Sequence, residues 1–375
     1  MRIAIVHDAI FCRAGGERVF LNFIKAFPQA DLYTASYDPD NTYDDFKNYK
    51  IRVTWFDKIA RKEKYFKKLF FPFGILAMNM LDLRRYDLII TTGTHCGKYA
   101  RFSPKTIVIN YCFTPFRLAW NPSAYAMYEN STGILRFLMN AVVAVLKGID
   151  YRHSKKVTHF MAMTPEMEER IKLAYKPKRP IPIILPSINI GKYGVNKLST
   201  NDYYLAVSRL EKYKKIDVVI NAFNQNGKKL IVVGRGKDKR LLTELATGNI
   251  IFLEGLSDKE VADLYANCKA FIFPQHEDYG LTPIEANACG KPVIAYNKGG
   301  ILYTQVPYVA DNGQWTCLFF DQQVPESLNA AIEKFESISP SDDFIRNHAE
   351  QFDDQIFISK AKSAVNQIVD SMITQ

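Results

Sequence analysis

Short apolar runs recur along the chain, each followed by a stretch whose apolar positions return every three or four residues. In the first half they fall at Arg2–His7, Leu88–Thr92, Thr106–Tyr111 and Phe160–Met163. In the second half they fall at Tyr203–Val207, Lys229–Val233, Ile250–Leu253, Ala270–Phe273 and Pro292–Ala295. Continuous apolar runs of this length predict strands covered on both faces, as in parallel sheets, and the helical periodicity between them predicts an α/β fold. The stretch Lys176–Pro186 is dense in proline and is followed by polar residues to about Asp202, which places a domain boundary near 187–200. Two domains are therefore expected, at 1–190 and 191–355. Phe357, Ala361, Val365 and Ile368 recur at steps of four, four and three, predicting a last helix over about 356–375. Ile134–Leu146, with Arg136 and Asn140 inside it, reads as a core helix. No run reaches the roughly 18 apolar residues of a membrane span. The nearest, Leu69–Leu81, is interrupted by Pro72, Gly74 and Asn79.

Composition adds class and compartment. At 375 residues, 47% hydrophobic and 23% charged, the chain suits a soluble protein of two ordinary domains. Its six cysteines show no paired C-x-x-C spacing and mostly adjoin apolar residues, so reduced, buried thiols are expected rather than zinc or disulfides. Met1-Arg2-Ile3 runs straight into a strand with no cleavable signal, and a cytoplasmic location is expected. The formal charge of +10 points to a phosphate-rich substrate or an anionic membrane face. Nucleic acid is not expected, because the basic residues are not interleaved with a reader motif. Within 61–85, Arg61, Lys62, Lys64, Lys67 and Lys68 stand beside Phe66, Phe70, Phe71 and Phe73, a pattern suited to a segment lying on anionic lipid.

The densest chemistry lies in 274–300, PQHEDYGLTPIEANACGKPVIAYNKGG. Glu277 follows an apolar strand, and Glu285 falls in the first turn of a helix opening at Thr282-Pro283, where threonine, proline and glutamate suggest a capping box. The crevice at the carboxyl ends of strands is where open α/β sheets bind ligands, and a helix start there attracts phosphate. His276 could tune Glu277 by adjacency. Arg209 and Lys214 follow strand Tyr203–Val207 and would set two cations over the same crevice, able to stabilise charge on a departing phosphate. Lys215 is the competing choice for the second cation. Gly15-Gly16 follows the first strand and lets backbone approach a phosphate or sugar. His95 directly follows strand Leu88–Thr92.

Glu277 and Glu285 are separated by seven residues that include Gly280-Leu281, with Glu285-Ala-Asn-Ala-Cys-Gly290-Lys-Pro-Val-Ile and Gly299-Gly300 downstream. This segment resembles the donor-sugar motif of family-four retaining glycosyltransferases of the GT-B fold. The resemblance implies two Rossmann-like parallel-sheet domains facing an inter-domain cleft, the first binding acceptor and the second a nucleotide sugar, with the last helix returning to the first. It implies that Glu285 holds the ribose, that Arg209 and Lys214 hold the diphosphate, and that Gly280 and the backbone N–H groups of Leu281 and Thr282 add to that grip. Glu277 and His95 would act at the sugar, with Gly15 and Gly16 facing the cleft. Family members usually need no metal, and no other cofactor is implied.

Cys112-Phe113-Thr114-Pro115-Phe116-Arg117-Leu118-Ala119-Trp120 resembles a segment of bacterial polysaccharide mannosyltransferases that reads Cys-His-Thr-Pro-x-Arg-x-x-Trp. Phe113 replaces the histidine. Tyr303 departs from a usual glutamate, Cys317 from a usual glycine, and Lys215 from a frequent glycine. The implied reaction moves a hexose, from GDP-mannose or a UDP-sugar, to a lipid-linked or oligosaccharide acceptor. A nucleotide-sugar epimerase of the same architecture and a non-catalytic sugar-binding module remain as alternatives. A dehydrogenase is disfavoured, because Gly234-Arg235-Gly236 lacks the third glycine of the dinucleotide fingerprint.

Overall fold

The computed structural model describes residues 1–194, 202–309 and 313–373. The chain forms two compact units, Met1–Pro186 with Phe357–Gln375, and Ser187–Ile356. Part of the proline-marked junction, 195–200, lies outside the described residues.

In the first unit the strands are β1 (Ile3–His7), β2 (Asp31–Thr34), β3 (Ile51–Val53), β4 (Leu88–Gly93), β5 (Ile107–Cys112) and β6 (His159–Ala162). All pair in parallel in the order β3-β2-β1-β4-β5-β6. The helices that bear on function are α1 (Gly15–Ala26), α2 (Glu63–Leu69), α3 (Ile75–Met80) and α4 (Gly133–Ser154).

The second unit repeats the plan with β7 (Tyr204–Val207), α5 (Ile216–Asn226), β8 (Leu230–Val233), β9 (Ile250–Leu253), α6 (Asp258–Asn267), β10 (Phe271–Phe273), α7 (Thr282–Ala288), β11 (Val293–Tyr296) and β12 (Cys317–Phe320). Its order, β12-β11-β10-β7-β8-β9, is also wholly parallel. Each sheet therefore reverses its winding once, between β1 and β4 in one unit and between β7 and β10 in the other. A crevice opens at such a switch point. The inner strands are buried along their length, β1 and β4 at every residue, which is why they read as unbroken apolar runs. β3 is an edge strand with Arg52 and an exposed Val53 and carries no such signal.

The last helix, α8 (Asp354–Ile373), begins in the second unit and passes into the first. Phe357 is buried there, with its ring centroid 5.5 Å from that of Phe23 on α1 and 5.9 Å from that of Tyr111 on β5.

Two stretches depart from the sequence reading. Ile134–Leu146 is helical but is not a core helix. Leu146 alone in it is buried, whereas Ile134 is 80% and Phe137 72% exposed. The helix is apolar nearly all round, so periodicity could not show which side the protein covers. In 61–85 the aromatic residues divide: Phe66 and Phe70 enter the core of the first unit, while Phe71, Phe73, Leu76 and Met80 are exposed. No helix among the described residues is long and apolar enough to cross a membrane.

Candidate functional site

In the second unit, the segments leaving β7 and β10 flank the switch point, and the two central side chains come from them. Lys214 lies at the end of a 3-10 turn, Lys212–Lys214. Its ammonium donates to the Glu277 carboxylate in a mostly buried ion pair. Lys215, the competing cation, instead takes a left-handed conformation (φ 56°) at the start of α5, which explains why a glycine would suit that position. The direct partner of Glu277 is thus Lys214. The ring of His276 packs instead against Gly299. Glu277 is further fixed by its carbonyl, which accepts from the Gly300 N–H at 2.8 Å.

Arg209 is exposed, and its guanidinium donates to the Tyr213 hydroxyl at 2.7 Å. Its backbone is held by the loop leaving β8. The Leu210 N–H donates to the Arg235 carbonyl at 2.8 Å, and an ideal Cβ on Gly234 would fall 1.8 Å from the Ser208 carbonyl oxygen. Gly234 and Gly236 therefore serve a close approach of backbone that keeps Arg209 in place, rather than a dinucleotide fingerprint.

Glu285 lies one turn into α7 and accepts from the Tyr265 hydroxyl of α6 at 3.1 Å. Burial, reinforced by this carboxylate, holds the Tyr265 phenol well above its usual range, so it remains a donor. The expected capping box is absent. Thr282 is the first helical residue, Leu281 occupies the cap, and no side chain caps the helix. With proline second in the helix, the start of α7 lies one residue earlier than the sequence pattern suggests, which leaves Glu285 free to reach Tyr265. Gly280 has φ 94°, and an ideal Cβ there would sit 2.8 Å from the Phe273 ring.

The remaining candidates belong to the first unit. Gly15 and Gly16 open α1, with the Phe113 ring against Gly16, where an ideal Cβ would meet it at 2.9 Å. His95 follows β4; its ring stacks on Phe116 (centroids 4.7 Å apart) and meets the edge of Phe70. Its Nδ1 hydrogen-bonds Thr94 Oγ1 and lies 3.4 Å from Asp8 Oδ2. Burial lowers the His95 pKa against the pull of Asp8, favouring the neutral imidazole.

Asp8 is a residue the sequence reading missed. It directly follows β1 across the switch point from His95, and an acid just beyond the first strand was the available signal. Its carboxylate accepts from the N–H groups of Thr94 (2.6 Å), His95 (3.1 Å) and Gly97 (3.1 Å), from the Thr94 hydroxyl (3.1 Å) and from the Cys96 thiol (3.3 Å). Burial alone would raise its pKa, but His95, His7 and those N–H groups hold it well below the usual carboxylate range. Asp8, His95 and Cys96 have ligand-type atoms within 4.8 Å of one another. The donors converging on Asp8 account for this cluster as a clamp on the loop that carries His95.

Residues 194–352 match the family model described as glycosyl transferases group 1. The chain is 22% identical to the alpha-1,3/1,6-mannosyltransferase ALG2 of Candida glabrata, over 96% of this chain and 90% of that protein. Residues 194–352 thus form a region of the glycosyl transferases group 1 family. A second relative is the serotype-specific mannosyltransferase WbdA of Escherichia coli, 26% identical over 36% of this chain and 17% of that protein. The crystal structure of Anabaena Alr3699/HepE in complex with UDP superposes with a TM-score of 0.68, at 16% identity, over 98% of this chain and all of that one. The fold of the chain is GT-B, with two Rossmann-like parallel sheets. The family match spans Arg209, Lys214, Glu277, Gly280, Leu281, Thr282 and Glu285; Gly15, Gly16 and His95 lie outside it.

Proposed function

We propose that the chain is a retaining hexosyltransferase that passes a sugar from a nucleoside diphosphate donor to a lipid-linked or oligosaccharide acceptor in surface polysaccharide synthesis. The observation that carries this reading is the Lys214–Glu277 pair beside the switch point of the second sheet. A cation and an acid in contact fit the two ends of a sugar–phosphate bond. The leaving oxygen would lie on Lys214, with Arg209 supporting the diphosphate, and the sugar on Glu277, which steadies positive charge at its anomeric carbon. Glu285 receives the ribose hydroxyls, while the N–H groups of Leu281 and Thr282, together with Gly280, border the phosphates. In the first unit, which takes the acceptor, His95 and the Gly15-Gly16 turn are the candidates for sugar contact.

Transfer with retention follows from a front-face route. The bond from the anomeric carbon to the diphosphate oxygen breaks, the acceptor oxygen bonds to that carbon from the same side, and its proton passes to the departing diphosphate. Lys214 and Arg209 supply the charge a divalent ion would otherwise supply. The relatives named mannosyltransferases favour GDP-mannose, and the UDP-bound neighbour keeps a UDP-sugar as the second donor. The exposed Phe71, Phe73, Leu76 and Met80 beside the lysines of 61–68 favour a peripheral place on an anionic membrane face.

The test is a thermal-shift panel of nucleotides and nucleotide sugars, followed by NMR of the product formed with the stabilising donor in the presence of chelator. A donor at about 100 times its dissociation constant adds ~2.7 kcal/mol of apparent stability. Expected are stabilisation by GDP-mannose or a UDP-sugar, and an anomeric configuration unchanged from donor to product. An inverted product, or conversion of donor without any acceptor, overturns the reading; the second result would favour an epimerase.

A further inference from the structure

We infer that the outward face of α4 is a membrane-docking surface that inserts into the interfacial region of an anionic lipid leaflet. Ile134, Phe137, Leu138, Ala141, Val142 and Val145 recur at steps of three, one, three, one and three, which sets them on one arc of the helix. All are exposed. The opposite arc, through Arg136, Met139, Val143, Leu146 and Asp150, is the side turned to the protein, with Leu146 and Asp150 buried. Just before α4, Tyr125 and Met127 extend the apolar surface, Met127 at 73% exposure.

The charge around this face says what covers it. Between Glu129 and Asp150 the chain has no acidic residue. Arg152 falls on the same arc as Ile134, and Lys155 and Lys156 follow, so the C-terminal end of the strip is basic and exposed. At the other end, Lys67 of α2 lies close enough to Tyr125 to lower its phenol pKa, as does Arg117, although burial raises it on balance. Lys67, ion-paired with Glu63, thus stands near Tyr125 at the N-terminal end of this surface, and Phe71, Phe73, Leu76 and Met80 are exposed in the same unit. The whole first unit carries 31 Lys and Arg against 17 Asp and Glu, whereas the second carries 18 against 22, so the net positive charge of the chain resides in the unit that bears this face. An apolar helix face flanked by cations, with the helix's one acid, Asp150, buried on the opposite arc, matches an anionic bilayer interface, in which the helix lies rather than spans. A partner protein covering it would need a matching apolar patch rimmed by acids, and a second copy of this chain would bring like charges together.

This surface extends the membrane contact proposed through 61–85, and it is tested without sugar chemistry so that it and the enzymatic reading can fail separately. Full-length protein is co-sedimented with vesicles of phosphatidylcholine alone and of phosphatidylcholine with phosphatidylglycerol, at low and high salt. Expected is binding to the anionic vesicles, weakened by salt. A triple Ile134→Gln, Phe137→Gln, Leu138→Gln variant should bind about tenfold more weakly or worse. Lys64→Glu with Lys68→Glu should cost at least about fivefold per cation. As a second readout, Phe137→Cys carrying an environment-sensitive dye should shift to the blue on adding anionic vesicles. Anionic-vesicle binding unaltered in the triple variant, no binding by the native protein, or a dye that stays in water overturns the inference. So does a dimer that the triple variant splits while vesicle binding is absent.

Discussion

Lys214 and Arg209 differ in setting, and that difference predicts how each responds to removal. Lys214 is mostly buried and already paired with Glu277, whereas Arg209 is exposed, with its guanidinium on the Tyr213 hydroxyl. A preorganised cation stabilises developing charge without rearranging, and deleting one such group slows turnover by roughly 10²–10³. Lys214→Ala is expected to lose that much in kcat, and Arg209→Ala a comparable amount if it reaches the diphosphate. A near-normal rate in purified Arg209→Ala protein would remove its role. Lys214→Ala also leaves Glu277 without its partner, so its fold is checked by circular dichroism. Glu285 predicts a different kinetic signature. Fixed by Tyr265 and proposed to hold the ribose rather than the reacting sugar, it should contribute binding shared by ground and transition states. Glu285→Ala should weaken nucleotide binding about tenfold while slowing turnover less, and unchanged affinity by calorimetry would refute the ribose contact.

At the level of elements, Asp8 joins β1 to the loop after β4 through hydrogen bonds from three backbone N–H groups, a hydroxyl and a thiol. Asp8→Ala strands those donors in the interior, at about 1–3 kcal/mol for each left unsatisfied. A loss of several kcal/mol in urea unfolding is expected, and a change below about 1 kcal/mol would show that water replaces the clamp. The neighbouring His7 on β1 adds a pH dependence. Burial lowers its pKa from 6.5 to about 4, with Asp8 opposing. The unfolded chain therefore takes up a proton below about pH 6.5 that the folded chain refuses until about pH 4. Its stabilisation is complete above that window and declines through it as pH falls, by about 3 kcal/mol in all. His153 and His159, also lowered to about 4 by burial, act in the same sense. The thermal midpoint should drop between pH 7 and 4.5, with a shallower slope in His7→Asn; a flat native profile would contradict the burial of a neutral ring.

The same elements show what the sequence could and could not disclose. Strands buried on both faces, such as β1, β4 and β10, were legible because an unbroken apolar run has few other uses. β2 and β3 are short and mix polar with apolar residues, so they carry no comparable signal, whereas β12 is wholly apolar and could have been read. Lys214 and Glu277 could be placed at the ends of two inner strands, β7 and β10, but their contact depends on the reversal of strand order, which periodicity does not encode. The threonine of Thr282-Pro283-Ile284-Glu285 imitated a cap because cap and first-turn preferences overlap. Asp8 escaped notice because its partners are backbone groups more than eighty residues away.

For the whole molecule, the chain's path carries a consequence of its own. Residues 187–356 close the second unit, and only then does α8 return to finish the first, so the first unit is built from both ends of the sequence. Phe357 is the first residue of that return. Its buried ring meets Phe23 and Tyr111 edge-on, at interplanar angles of 89° and 75°, a geometry that aromatic pairs favour. Replacing a buried phenylalanine by alanine costs about 3–5 kcal/mol, through lost transfer energy and the cavity left behind. Phe357→Ala should therefore destabilise the first unit by that order, although Phe357 and Pro186, where that unit's first segment ends, are separated by the whole of the second unit. Hydrogen exchange followed by mass spectrometry separates the outcomes. Faster exchange should appear in β1, β4, β5 and α1, while β7, β8 and β10 keep their native protection. Equal acceleration in both sheets would mean that the two units unfold as one, and unchanged exchange in the first would mean that α8 is only laid against it. Because the candidate donor residues Arg209, Lys214, Glu277 and Glu285 all lie in the second unit, nucleotide affinity should survive the substitution even where transfer to an acceptor declines.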